Sequence, residues 1–485
     1  VKGGAIAKSI VEQLQPIFAP KSVAVIGASS VPFKWGYDTI SSLQQAGYKG
    51  AIYPINPRES QVLGLPVYRN VRDVPGEIDL AVIVIRVALV PQAIRECVQK
   101  GVKGAVIITA GFAEVGPEGQ ALQEEVTAIA RQGGLRFVGP NCMGILSSAN
   151  NLNLCLPNNT PKGSIGFISQ SGTFGGIFAR LALDHGYGLS KFISAGNQAD
   201  LDAADYLEFL ADDPETKSIV MYVEGFRDGR KLFHAAQKMA GKKPVIVYKA
   251  GKNQLVARVA MSHTASIAGE DRVFDALCQQ VGFIRSEELL ESLDMAAILT
   301  RQPLPRANRV GILGTGGQCV VLADTCVSMG LQVPELKTED IPFIISDVEF
   351  PPHAPAPRNP VDFAGANRTA LMEASVLNRM AQLDYIDCFI CNTPISYYDT
   401  TRVSAAEQEE LLSRAGELLT EIPQKYGKPL VTVGFGFGDA AFTSDLMKKI
   451  LDNAGITSYS TPEAAVKAIW TLLKYAEIKR RFTGS

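Results

Sequence analysis

Short apolar runs alternate with amphipathic stretches along nearly the whole chain. The runs at 22–26, 51–55, 80–85, 104–109 and 135–138 read as buried strands, with helical periodicity starting near Gly36, Leu89 and Pro117. Strands separated by helices predict βαβ units, hence a parallel sheet wound on both faces by right-handed crossovers. A short amphipathic helix over 1–20 precedes them, with no signal-peptide pattern.

The pattern breaks at a turn-rich stretch, 157–162, and then resumes. Strands are expected at 164–168, 191–194, 218–223 and 244–249, and helices at 173–185, 203–210, 232–240 and 271–281, with 289–300 closing the region. A second break, 302–308, holds two prolines. Beyond it come a strand at 310–313, a glycine turn, a helix at 318–329, a strand at 430–433 and helices at 444–454 and 463–480, while proline-rich 350–360 reads as an exposed loop. The chain is therefore an α/β protein of three domains: a Rossmann-like domain over 1–150 and two flavodoxin-like domains over 151–302 and 303–485.

Composition narrows the partners. A formal net charge of -2 offers no electrostatic attraction for nucleic acid or an anionic membrane. No apolar run approaches the roughly 20 residues needed to span a bilayer. The eight cysteines are scattered in apolar settings, which fits a reduced, cytoplasmic location. Cys388 and Cys391 resemble a metal or redox pair, but residues three apart on a strand point to opposite faces, so they read as core. His185 and His234 in helices and His353 in a loop have no second ligand at metal spacing, and no Walker-type phosphate loop occurs.

Candidate chemistry gathers where strands end. The first strand leads into Gly27-Ala28-Ser29, short of the three spaced glycines of a dinucleotide fingerprint. The second leads into Asn56-Pro57-Arg58, where a nicotinamide site usually has an acid on the ribose hydroxyls. A neutral amide and a cation there favour a ribose that carries phosphate, and Lys34 on the first loop can meet another phosphate. CoA, with a 3′-phosphate and a pyrophosphate, fits both; NADP fits Arg58 but not the missing glycines. Thr109 and Ala110 follow the fourth strand, and Asn141 and Cys142 lie in a glycine-flanked turn after the fifth, where a pantetheine arm can be received. Cys142 has no neighbouring cation in sequence to lower its thiol pKa.

Ser171, Gly172 and Thr173 follow a strand and open a helix, which makes an N-cap and an anion site. Glu224 ends an apolar strand, where a carboxylate can orient an imidazole ring. His263, in the polar loop Ser262-His263-Thr264, is expected beyond the end of the preceding strand and so at the same sheet edge, as base, ligand or nucleophile.

Several of these stretches, in this order, resemble the α subunit of ADP-forming (NDP-forming) acyl-CoA synthetases, relatives of succinyl-CoA synthetase. The resemblance rests on Val25-Ile26-Gly27-Ala28-Ser29, Pro54-Ile55-Asn56-Pro57, Ala110-Gly111-Phe112-Ala113-Glu114, Val138-Gly139-Pro140-Asn141-Cys142-Met143-Gly144, Ser169-Gln170-Ser171-Gly172, Tyr222-Val223-Glu224-Gly225 and Ser262-His263-Thr264. It implies a CoA-binding first domain and two ligase domains. It implies that His263 is a phosphorylatable histidine, that Glu224 orients it, and that the helix opened by Ser171, Gly172 and Thr173 holds the phosphoryl group. Gly27, Ala28, Ser29, Lys34, Asn56, Pro57, Arg58, Thr109, Ala110, Asn141 and Cys142 fall at CoA-site positions. The family implies an ATP-grasp β subunit on another polypeptide, carrying Mg2+ with ADP or ATP, in an α2β2 assembly. The chain departs from the family pattern at Ala265, at Ile85-Arg86-Val87 and at Gly314-Thr315-Gly316-Gly317. A CoA-binding or CoA-sensing protein without catalysis is the alternative on the same fold.

Overall fold

The computed structural model describes residues 8–154, 156, 159–251, 271–346, 348, 358–363, 369–394, 404–434 and 440–484. His263 and His353 lie outside them, as does most of the proline-rich stretch 350–360; of that stretch Arg358 is exposed but Asn359 is buried. The chain forms two compact units, Val1–Ala296 and Ala297–Ser485.

In the first unit, helix α1 (Ile10–Phe18) is capped by Ser9 and Glu12, each side chain closing onto the other's backbone. Five parallel strands follow: β1 (Ser22–Ile26), β2 (Ala51–Ile55), β3 (Leu80–Ile83), β4 (Gly104–Ile107) and β5 (Arg136–Val138). They lie in the order β2-β1-β3-β4-β5. Helices α2 (Trp35–Gln45), α3 (Val90–Lys100) and α4 (Pro117–Gln132) make the crossovers.

A second sheet begins before the expected linker. Short antiparallel strands β6 (Ile145–Ser147) and β7 (Leu152–Asn153) extend its edge. The parallel strands are β8 (Lys162–Ser169), β9 (Leu189–Ser194), β10 (Ser218–Val223), β11 (Val245–Lys249) and β12 (Ile284–Ser286). The order is β12-β11-β10-β8-β9-β6-β7. Helices α5 (Gly172–Asp184), α6 (Ala203–Asp212), α7 (Gly229–Met239), α8 (Asp271–Val281) and α9 (Leu289–Arg301) accompany it.

The pleat sorts side chains of the first sheet between two cores. Ala24, Ile26, Ala81 and Ile83 face one of them. Val23, Val25, Leu80 and Val82 face the other, which continues without a break through Ile168, Ile193, Met221 and Val247 of the second sheet. Each fully buried aliphatic side chain contributes about 1.5–3 kcal/mol, so a core common to two sheets couples them firmly. Asp200 adds a polar tie: its buried carboxylate accepts from Arg136 Nε at 2.8 Å, Phe137 N at 3.1 Å and Arg131 Nε at 3.3 Å.

The second unit repeats the scheme with β13 (Val310–Gly314), β14 (Val361–Asp362), β15 (Cys388–Asn392), β16 (Leu430–Val433) and β17 (Ser458–Tyr459), ordered β14-β13-β15-β16-β17. Cys388 and Cys391 are both fully buried and belong to different cores on its two faces. Burial raises both thiols well above the ordinary range.

Counting only parallel strands, all three sheets have one order: second, first, third, fourth, fifth. In a doubly wound sheet the crossover direction reverses between the first and third strands, and the loops there diverge to leave a crevice at the carboxyl edge. In the first unit, those crevices lie between the ends of β1 and β3 and between the ends of β8 and β10.

Candidate functional site

At the first crevice the chain leaves β1 through Gly27 at φ +101°, where an added Cβ would stand 2.5 Å from the Val84 carbonyl oxygen. The N–H groups of Gly27 and Ala28 both donate to the Ile55 carbonyl, at 3.0 and 3.2 Å. Helix α2 then seats itself through Gly36, whose added Cβ would lie 2.1 Å from the Gly27 carbonyl oxygen. Gly36 thus does what the last glycine of a dinucleotide fingerprint does, close helix–strand packing, at a longer spacing. That signal was absent from the sequence because the intervening loop is longer than the motif allows.

The expected polar residues around this turn divide into two kinds. Asn56 is a brace: its Nδ2 donates to the Ala28 carbonyl at 2.7 Å and its Oδ1 accepts from Arg58 N at 2.9 Å. Ser29 Oγ accepts from Val31 N at 3.1 Å, and Ser30 N donates to both carboxylate oxygens of Glu59 at 3.0 Å. Lys34, Pro57 and Arg58, by contrast, are exposed, and Lys34 caps α2 without a side-chain cap bond.

Toward β4 and β5 the crevice opens into a cavity of about 590 Å³, which joins Thr109, Ala110, Asn141 and Cys142 to Ser171, Gly172 and Thr173. Thr109 Oγ1 donates to the Ile85 carbonyl at 2.8 Å and accepts from Ile85 N at 3.2 Å, which locks the ends of β3 and β4 together. Asn141 sits at φ +57°, and its Nδ2 donates to Asn197 Oδ1 at 3.2 Å. Cys142 donates its thiol to the Ile107 carbonyl at 3.3 Å, and burial pushes its pKa up to about 12. Burial of this kind disfavours the thiolate that a nucleophile needs.

Two acids bind these walls, and only one was anticipated. Glu114 Oε1 accepts from Gly111 N at 2.6 Å and Phe112 N at 3.1 Å; its Oε2 accepts from Asn197 Nδ2 at 2.6 Å. Burial alone would raise its pKa, but these hydrogen bonds, Asn197's foremost, outweigh it and hold the carboxylate below its usual range. Since Asn197 also donates to Gln123 Oε1 at 2.9 Å and receives Asn141, one acid fixes the loops after β4, β5 and β9. Sequence reading quoted Glu114 but gave it no role, because Asn197 and Gln123 are distant in sequence.

Glu224, the anticipated acid, stands at the second crevice. Gln170 crosses the gap, its Oε1 accepting from the N–H of both Glu224 and Gly225 and its Nε2 donating to the Gly225 carbonyl. Glu224 is buried, and Tyr222 donates its hydroxyl to Oε1 at 3.3 Å. Burial, then the charge of Glu224, raises the Tyr222 phenol and keeps it a donor. Phe174 stacks on the Tyr222 ring at 4.6 Å between centroids.

Across the gap Ser171 caps α5, its Oγ accepting from Phe174 N at 3.4 Å, while Ser169 Oγ donates to the Ser171 carbonyl at 2.6 Å. Gly172 and Thr173, whose N–H groups belong to the free first turn, line the cavity at the helix start, with the positive end of the dipole behind them. Gly172 admits Met143, since an added Cβ would be 2.7 Å from its Cγ. Beyond β11, Lys249 pairs with Asp271 at 3.5 Å, and Asp271 accepts from both Arg285 NH groups at 3.2 Å, so the two chain ends that flank 252–270 are held together. The expected partner of Glu224, His263, falls within 252–270, outside the described residues. No cluster of His, Cys, Asp or Glu suited to a metal occurs among the described residues, and no helix among them is long and apolar enough to cross a membrane.

Chemically, the cavity has a side on the first sheet lined by apolar and amide groups and by Arg86, and an anion-attracting helix start on the second. That division matches the families whose patterns the chain carries. Residues 21–148 match a CoA binding domain, and residues 162–299 match a succinyl-CoA ligase-like flavodoxin domain. The chain is 39% identical over 468 residues to the α subunit of acetate–CoA ligase (ADP-forming) II of Pyrococcus furiosus, covering 96% of this chain and 98% of that one. It is 36% identical to the α subunit of isoenzyme I of the same organism, over 96% and 99% of the two chains. Among solved structures, the acetyl-coenzyme A synthetase 1 of Candidatus Korarchaeum cryptofilum, bound to phosphate and ADP, superposes with a TM-score of 0.86 at 31% identity, covering 97% of this chain and 98% of that one. A protein of Pyrococcus horikoshii gives 0.82 at 34%, over 96% and 99%. The chain belongs to the family of ADP-forming acyl-CoA ligase α subunits.

Proposed function

We propose that the chain interconverts acyl-CoA, ADP and phosphate with a carboxylic acid, CoA and ATP, together with a partner subunit. One observation carries this reading: a single cavity has the carboxyl edge of the CoA-binding sheet on one side and the start of α5 on the other. A thioester delivered from the first side meets a phosphate held on the second.

In the acyl-CoA direction, a phosphate oxygen attacks the thioester carbonyl. The C–S bond breaks, the CoA thiolate leaves and takes a proton, and an acyl phosphate remains. A ring nitrogen of His263 then attacks phosphorus, the P–O bond to the acyl group breaks, and the carboxylate departs. Gly172 and Thr173 N–H groups and the Ser171 cap offset phosphoryl charge throughout, as fixed dipoles do in phosphoryl transfer. Glu224, oriented by Gln170 and Tyr222, accepts from the other ring nitrogen and selects the tautomer. The phosphoryl group passes last to ADP. The covalent intermediate divides one difficult exchange into easier steps.

CoA occupies the first domain (1–150), with Gly27, Ala28 and Ser29 at the turn and Lys34 and Arg58 toward phosphate. The ligase domains are 151–302 and 303–485. ADP, with Mg2+, binds an ATP-grasp β subunit in an α2β2 assembly in the cytoplasm. The relatives come in two lengths, which supports a separate partner. Against the 98% covered in an α subunit, the chain spans 64% of the acetate–CoA ligase of Methanocaldococcus jannaschii. The acid is a carboxylate of the class that these ligases activate; the relatives' names include acetate and 4-hydroxybutyrate.

The test incubates the chain and its β partner with γ-labelled ATP and Mg2+ and maps the label. Acid-labile, alkali-stable label on His263, lost in His263→Ala while CoA binding persists, is expected. Normal labelling of His263→Ala would overturn the mechanism.

A further inference from the structure

One cation at the carboxyl edge of the first sheet has no use in the fold. Arg86 comes three residues after β3, at the crevice between β1 and β3, and lines the cavity. Its backbone opens a short turn, Val87–Leu89, its carbonyl accepting from Leu89 N at 2.9 Å. Its guanidinium makes no hydrogen bond or ion pair with another described residue. Arg131, Arg136 and Arg285 of the same unit are each held by aspartate. Arg86 is exposed, and Val84, Ile85, Val87 and Trp35 share the cavity lining with it. A guanidinium is always charged and presents a planar fork of donors; unpartnered at the cavity, it is free to meet an oxyanion of the ligand.

The strand order identifies which anion. Neighbouring strands lie about 4.8 Å apart, so the third position in the row β2-β1-β3-β4-β5 stands about 10 Å from either end. One end carries Arg58 after β2, with Lys34 beside it after β1. The other carries Asn141–Met143 after β5, packed on the start of α5 through Met143. CoA has the same sequence of groups: a 3′-phosphate on the ribose, then the pyrophosphate, then the pantetheine arm with its thiol at the far end. With the phosphorylated ribose at Arg58 and the thiol at α5, the group that faces the middle strand is the pyrophosphate. We infer that Arg86 binds the pyrophosphate of CoA and sets how far along the cavity the thioester reaches. The inference rests on the CoA reading above.

Inorganic phosphate offers the same oxyanion chemistry, so the experiment separates the two sources. Calorimetric titrations of the full chain with CoA, dephospho-CoA and inorganic phosphate are compared for wild type, Arg86→Met, Arg86→Lys and Arg58→Ala. Arg86→Met should weaken CoA and dephospho-CoA by the same factor, about tenfold for one charged hydrogen-bonding group. Arg86→Lys should recover part of this, since it restores charge without the fork. Arg58→Ala should weaken CoA more than dephospho-CoA. An unchanged unfolding midpoint of ligand-free Arg86→Lys separates binding from folding. CoA affinity within twofold of wild type in Arg86→Met, or a loss confined to inorganic phosphate, would overturn the inference and leave the CoA reading standing. Absence of CoA binding by wild type would overturn both.

Discussion

Gln170 and Glu224 face each other across the crevice of the second sheet, and the side-chain oxygen of Gln170 accepts the backbone N–H of Glu224. The same oxygen takes Gly225 N at 3.1 Å. One amide therefore sets the spacing between the start of α5 and Glu224, the acid proposed to orient His263. Gln170→Ala leaves two buried N–H groups without that acceptor, at about 1–3 kcal/mol for each left unsatisfied. Histidine phosphorylation should fall at least tenfold, with CoA affinity unchanged. Unaltered phosphorylation kinetics would show that the acid needs no such brace.

Gly36 makes a sharper test of the first crevice. Its added Cβ would meet backbone, which cannot swing aside, so Gly36→Ala must displace α2 from the Gly27 turn. Overpacking of this kind costs about 1–3 kcal/mol. The unfolding midpoint should drop and CoA should bind more weakly. Gly64→Ala is the control: an added Cβ there has open space, but φ is +80°, so only its conformational strain is felt. CoA binding unaffected by Gly36→Ala would contradict the seating described.

Glu114 predicts an acid limb. Its folded pKa lies below the unfolded value, so it contributes stability that is fully present above the unfolded pKa, about 4.3, and is lost as pH falls through the lower folded value. Between neutral pH and that window wild type should be more stable than Glu114→Gln. The two unfolding midpoints should converge below it. Parallel curves over the whole range would mean that the charge is irrelevant to the three loops.

Cys142 should be silent chemically. With its pKa at about 12, almost no thiolate exists near neutral pH, and Cys142→Ser keeps a donor toward the Ile107 carbonyl. Native chain should resist iodoacetamide at this position, as peptide mapping would show, and Cys142→Ser should retain most turnover. Rapid alkylation that abolishes activity would revive a nucleophilic role.

What was legible in the sequence follows the length of the signal. Ser218–Val223, Asp271–Val281 and Leu430–Val433 stood out because each is a full apolar run or a full helical period. Ile145–Ser147, Leu152–Asn153 and Ile284–Ser286 did not, since two or three residues carry no period. At the site, Ser171 announced itself by local capping chemistry. Gln170, Glu114 and Asn197 act on partners far away in the chain, and nothing near them in sequence marks that role. The bracing role of Asn56 was invisible for the same reason: its amide answers to the Ala28 carbonyl, 28 residues away.

The apolar core that runs unbroken from Val23 to Val247 has a kinetic meaning. Two sheets that share their interior cannot hinge apart without exposing it, so the span from the Gly27 turn to the start of α5 is a fixed length. A fixed length suits acyl transfer, in which thioester and phosphate must meet in one geometry at every turnover. It also removes opening of the two sheets as a step of the cycle, so the two ends of the cavity keep their separation while ligands come and go.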